Sequence, residues 1–137
     1  MVCAAISAQP IEAASHETLV AQASAGAVVT FCGTVRDHDA DRRVLCLEYV
    51  GHPSAEETVR VVAGRVAEIT GVLAVAVSHR VGTLAVGDIA LVATVSSAHR
   101  EAAFAACARL VDELKHELPI WKRQVFDDGT DEWVNCP

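Results

Sequence analysis

A chain of 137 residues and 14.5 kDa fits one domain that buries roughly two-thirds of its unfolded surface, and no second domain is expected. Its net charge of -7 and pI near 5.2 argue against a nucleic-acid backbone or an anionic membrane as main partner, because both require an extended basic surface. Hydrophobic residues make up 52% and aromatics only 4%, which predicts a core of Val, Ala and Leu packed through small side chains, a surface type that also serves subunit interfaces.

Residues 2 to 7 read as a short strand, and Ser15 as the cap of a short helix reaching about Ala23. The start, Met1 to Ile6, lacks the positive region of a secretory signal, and no apolar run reaches membrane-spanning length; a cytoplasmic protein is expected. Gly26 to Val35 is rich in β-branched residues and reads as a buried strand ending in the polar loop Arg36 to Arg43, with Val44 to Val50 as its hairpin partner. Ser54-Ala55-Glu56-Glu57 matches a capping box, and Ala55, Val59, Val62, Val66 and Ile69 follow at helical spacing until Gly71. Val72 to Val81 and Ile89 to Ser96 read as strands joined by a turn segment holding Gly82 and Gly87. Ser97 is placed to cap a long helix with Ala103, Cys107, Leu110 and Leu114 on one face, ended by Pro119. Ile120 to Val125 and Glu132 to Val134 close the chain as strands around the turn Asp127-Asp128-Gly129. Hairpin-length connections among most strands predict an α+β domain with a mainly antiparallel sheet and two main helices. No glycine-rich phosphate loop occurs, so no nucleotide cofactor is expected.

The five cysteines, Cys3, Cys32, Cys46, Cys107 and Cys136, include no C-x-x-C pair and are odd in number, a pattern that fits neither a zinc site nor a disulfide framework. Cys32, Cys46 and Cys107 read as buried thiols acting as small hydrophobes. His38 with Asp37, Asp39 and Asp41 reads as an exposed acidic turn rather than a metal site. His79-Arg80 reads as structural, and Ser96-Ser97 with His99 lacks the third group that a hydrolase triad needs.

Only two lysines occur, Lys115 and Lys122, in one segment that also carries Trp121 and Arg123; every other Lys/Arg position is an arginine. An ammonium, unlike a guanidinium, can lose its proton near neutral pH. His99-Arg100 falls in the first turn of the long helix, where the dipole disfavours cations unless an anion joins them. Lys115 lies 16 residues after His99, a separation of roughly 24 Å along a continuous helix. One small substrate cannot touch both, so a site using both must be assembled between two copies, as in a C2 dimer. On the strand after Pro119, Trp121 is expected to turn toward the core and Lys122 away from it. Arg36 adds a bidentate anion ligand, and cations gathered in a cleft favour acid–base work by a lysine. The residues alone also fit a Schiff-base lysine enzyme, or a non-catalytic dimeric module that binds a phosphorylated ligand or protein tail.

The segments Gly26 to Arg36, Ser97-Ala98-His99-Arg100 and Lys115 to Arg123, in this order, resemble the large, catalytic subunit of molybdopterin synthase. The likeness runs from about Gly26 to Val134 and includes Glu48-Tyr49, His79-Arg80-Val81-Gly82, Gly87-Asp88 and Trp133-Val134. It implies a homodimeric, α/β-hammerhead-like domain in which each subunit binds a small ubiquitin-like sulfur carrier by its C-terminal Gly-Gly tail. The implied reaction moves sulfur from the carrier's thiocarboxylate to cyclic pyranopterin monophosphate, forming the molybdopterin dithiolene with no metal or cofactor of the enzyme's own. By the same resemblance Lys115 and Lys122 are catalytic, and Arg36, His99, Arg100, Arg123, Thr34, Val35 and Gln124 bind substrate, with His99 and Arg100 supplied by the neighbouring subunit. Thr34 and Gln124 stand where the family often has a cation and a glutamate, and the chain ends at Pro137 where relatives usually extend.

Overall fold

The computed structural model describes residues 1–136. The chain runs β1 (Val2–Ser7), α1 (Ala13–Val20), β2 (Ala27–Thr34), β3 (His38–Asp39), β4 (Arg42–Gly51), α2 (Ala55–Ala67), β5 (Val72–Arg80), β6 (Gly82–Ala85), β7 (Ile89–Ser97), α3 (Arg100–Glu117), β8 (Ile120–Phe126) and β9 (Asp131–Cys136). The mixed α+β class is as expected, but the strands divide into two sheets. The Val- and Ala-rich runs of β5 and β7 bury both faces and sit at the centre of a four-stranded sheet ordered β1-β5-β7-β2, in which only β1 pairs in parallel. The second sheet runs β3-β4-β8-β9, with β6 also paired to β4. One face of the first sheet packs against α2, through Val59, Val62 and Val66, and α3, through Cys107, Leu110 and Leu114. Its other face carries α1 over a small cluster of Val20, Ala74 and Ala76.

The structure corrects the pairing of the second long strand. β2 is an edge strand on β7, not the hairpin partner of Val44 to Val50. The chain closes on itself inside the polar loop instead: Ala40 and Asp41 both take positive φ, 47° and 68°, and link β3 to Arg42–Arg43 as a tight hairpin. Two successive residues of positive φ give a hairpin turn whose twist suits paired strands, and they direct β4 into the other sheet. The segment after Val81, expected to be turn alone, contributes β6, which pairs Gly82–Ala85 with Cys46–Tyr49.

The helix ends also differ from expectation. Ser15 lies inside α1, its hydroxyl donating to the Glu12 carbonyl at 3.0 Å. Ser54 sits at the start of α2 with helical backbone angles and makes no capping bond, because its hydroxyl is bonded to Nδ1 of His52 at 2.8 Å; Glu56 and Glu57 still favour that end through the dipole. His99, not Ser97, occupies the cap position of α3, and the Ser97 hydroxyl donates to the His99 carbonyl. Trp121 does alternate away from Lys122 but is 39% exposed. The core lies on the Lys122 side of β8, where Ile120, Gln124 and Phe126 are buried. Cys107 is buried as expected, whereas Cys32, on the uncovered side of edge strand β2, is exposed and Cys46 half-buried. Among the described residues no helix is long and apolar enough to cross a membrane.

Candidate active site

Three chain segments meet where α3 ends. Pro119 cannot continue the helix, so α3 stops at Glu117, with Lys115 exposed in its last turn, and β8 starts at Ile120. Alternation along β8 then sends Lys122 and Gln124 to the inner side with Ile120 and Phe126. On the opposite wall β2 ends at Thr34, and Val35 is pinned by two backbone bonds, from its own N–H to the Asp88 carbonyl at 3.0 Å and from the Gly87 N–H to its carbonyl at 2.8 Å. Arg36 follows directly and is exposed.

These residues surround one cavity of about 270 Å³. Thr34, Val35, Arg36, Lys115, Lys122 and Gln124, all expected at the site, line it together with apolar Leu47, Leu91, Leu114 and Leu118. Three cations, Arg36, Lys115 and Lys122, face a single carboxylate, Asp39; a basic pocket on an acidic protein is thus present in one chain. Arg65 of α2 steadies the wall that holds Lys115. It binds Glu117 at 2.8 Å and also Glu113, which Arg109 holds as well, so the last turns of α3 are tied to α2.

The remaining expected residues lie elsewhere. His99 and Arg100 are exposed at the far end of the 18-residue α3, on a shallow surface with Glu101, Phe104 and Ala105. Arg123 faces the outer side of β8, where its Nε donates to Oδ2 of Asp131 at 2.8 Å, and this bond raises its pKa further. His38, by contrast, lines the cavity beside Asp39 while bonded to Asp37 at 2.8 Å in the exposed turn. Among the described residues no group of three or more His, Cys, Asp or Glu is placed to hold a metal ion.

Two lining residues escaped the sequence reading, His79 and Tyr49. His79 is 5% exposed and meets Tyr49 edge to face, with ring centres 5.1 Å apart and planes at 82°. The signal was available in the period of two along β5: Val75 and Val77 face the main core, so His79 is the next residue on that side. Its Nδ1 lies 2.6 Å from the Arg80 carbonyl. A carbonyl can only accept, so Nδ1 carries the proton and Nε2 keeps its lone pair. Burial lowers the pKa of His79, the Arg80 carbonyl opposes that, and the charge of Lys115 adds to the lowering.

A group whose folded pKa is depressed below its ordinary value contributes stability above that value and loses it as the pH falls. For His79 the loss starts near its ordinary 6.5. Glu113, held low by Arg109, and Glu117, held low by Arg65, act only below their ordinary 4.5. The melting temperature should therefore fall between about pH 7 and pH 5.5, and His79→Gln should flatten that limb. An unchanged slope in the variant would show that another group titrates there.

A family model described as MoaE protein matches residues 6–117. The chain belongs to the MoaE family. The molybdopterin synthase catalytic subunit of Bacillus subtilis is 34% identical over 130 residues, 94% of this chain and 82% of that protein. Among solved structures, molybdopterin synthase from Staphylococcus aureus superposes with a TM-score of 0.88 at 30% identity, covering 95% of both chains. A protein-protein complex of subunits 1 and 2 of molybdopterin-converting factor from Helicobacter pylori gives a TM-score of 0.65 at 18% identity over 82% of this chain and 72% of that one, a likeness of fold. This MoaE chain is accordingly an enzyme subunit, the catalytic one of the molybdopterin synthase type, in molybdenum cofactor biosynthesis.

Proposed function

We propose that this MoaE chain transfers sulfur from the thiocarboxylated Gly-Gly terminus of a small ubiquitin-like carrier to cyclic pyranopterin monophosphate, building the dithiolene of molybdopterin. The observation that carries the reading is the convergence of Lys115, Lys122 and Arg36 on one cavity whose lining holds a single carboxylate, Asp39. In each transfer the thiocarboxylate sulfur bonds to a substrate carbon as that carbon gives up its bond to oxygen, and water then cleaves the acyl carbon–sulfur bond, leaving the sulfur on the substrate and its own oxygen on the carrier. The carrier leaves as an ordinary carboxylate, so the sulfur arrives with its electrons and no net oxidation occurs.

Lys115 stands at the end of α3, free to meet both the carrier tail and the reacting carbons, where an ammonium stabilises developing charge and an amine moves protons. Lys122 holds substrate from β8, beside Gln124, while Thr34 and Val35 shape the opposite wall. Arg36 takes the phosphate in bidentate fashion. His99 and Arg100 join it from a second copy, because an 18-residue helix keeps its two ends about 27 Å apart. Two copies related by a two-fold axis would complete two equivalent sites. Arg123 remains with Asp131 on the outer face of β8.

The test is reconstitution of the chain with thiocarboxylated carrier and cyclic pyranopterin monophosphate, reading out molybdopterin. Product and desulfurated carrier are expected together. Binding of both components without product would instead identify a non-catalytic binding module.

A further inference from the structure

The cavity has two chemically different ends. Arg36, Thr34 and Lys115 at the rim are exposed, and Lys122 is half-buried. At the inner end Gln124 is 4% and His79 5% exposed. The Oε1 atom of Gln124 is buried and has no hydrogen-bond partner among the described residues. Among the described residues the His79 ring makes its hydrogen bond through Nδ1, and its Nε2 lone pair is left to accept from a ligand. A buried acceptor without a donor is destabilising, and native structures keep few of them.

We propose that Gln124 and His79 form a neutral, hydrogen-bond-accepting floor that takes the N–H edge of a bound heterocycle, so that the substrate enters ring first and keeps its phosphate at the cationic rim. This rests on the reading of the site given above, and it sets the orientation of the substrate within it. A pterin ring presents amide and amino N–H donors on its pyrimidine edge, which match two neutral acceptors. A phosphate offers mainly acceptors and negative charge, and would leave Oε1 and Nε2 unpaired while losing water. The rim has the opposite preference, because Arg36, Lys115 and Lys122 offer only donors when charged. Burial and charge thus select the same orientation independently.

The experiment measures binding of cyclic pyranopterin monophosphate, of inorganic phosphate and of the carrier in its carboxylate form to the wild-type chain, Gln124→Met and His79→Phe. Methionine matches the volume of glutamine and removes the acceptor. Loss of one neutral hydrogen bond should weaken the pterin about tenfold in each variant and leave phosphate and carrier binding unchanged. Gln124→Met should also raise the ligand-free melting temperature by about 3 °C, since it deletes an unpaired buried acceptor. A purely structural glutamine would lower it. Equal pterin binding in wild type and Gln124→Met would overturn the floor alone, as would a loss confined to the carrier, which would give these acceptors to peptide N–H groups of its tail. A wild-type chain that binds no pterin would overturn the substrate assignment as well.

Discussion

Replacing Lys115 with alanine is expected to lower dithiolene formation by about 10²- to 10⁴-fold, the range for removing a group that moves protons in the transition state. The fold should survive. Lys115 is exposed and has no hydrogen-bond or ion-pair partner among the described residues, and alanine is the strongest helix former. Stability should therefore change by no more than about 0.5 kcal/mol. Lys115→Arg separates the two tasks of the side chain. It keeps the positive charge but cannot release a proton near neutral pH, so activity restored by arginine would assign Lys115 to charge stabilisation alone. Near-normal turnover in Lys115→Ala would remove it from the chemistry altogether.

The second large effect concerns the shared site. Lys115→Ala and Arg100→Ala should each be poorly active when prepared alone and assayed below substrate saturation. Co-assembled, they should recover about a quarter of wild-type activity, because random pairing makes half of the dimers mixed and each mixed dimer keeps one of its two sites intact. Isolating the mixed dimer by two affinity tags should raise the recovery to about one half. The physical basis is the length of α3: Arg100 and Lys115 belong to opposite ends of one rigid helix and line different surfaces of the same chain. Failure of the mixture to exceed its components would mean that Arg100 does not complete the neighbour's pocket.

Much of this site could be read from residue patterns because its parts are local. The Lys115 to Arg123 segment places a helix end, a proline and a strand in sequence, and each has a local cause. The grouping of Arg36 with the lysines was expected from charge and position, but the cavity that joins them was not, since β2 and β8 belong to different sheets and the cavity lies between them. Arg123 shows the limit of adjacency. One residue beyond Lys122, it faces the outer side of the strand, where Asp131 of β9 waits at 2.8 Å.

His79 shows a different limit. Its period along β5 shows which face it shares with Val75 and Val77, but not that the core gives way to a cavity at that point. That depends on Tyr49 of β4, Lys115 of α3 and Gln124 of β8 arriving from distant parts of the chain. The sequence by itself determined the helices, most strands and the identity of the reactive cations, because these follow from short-range periodicity, proline and the choice of lysine over arginine. Only the tertiary structure decided which strand pairs with which, which side of β8 faces the core, and which acceptors close the pocket. A strand's hydrogen-bonding edges carry no partner label, so those choices are made by burial summed over the whole chain.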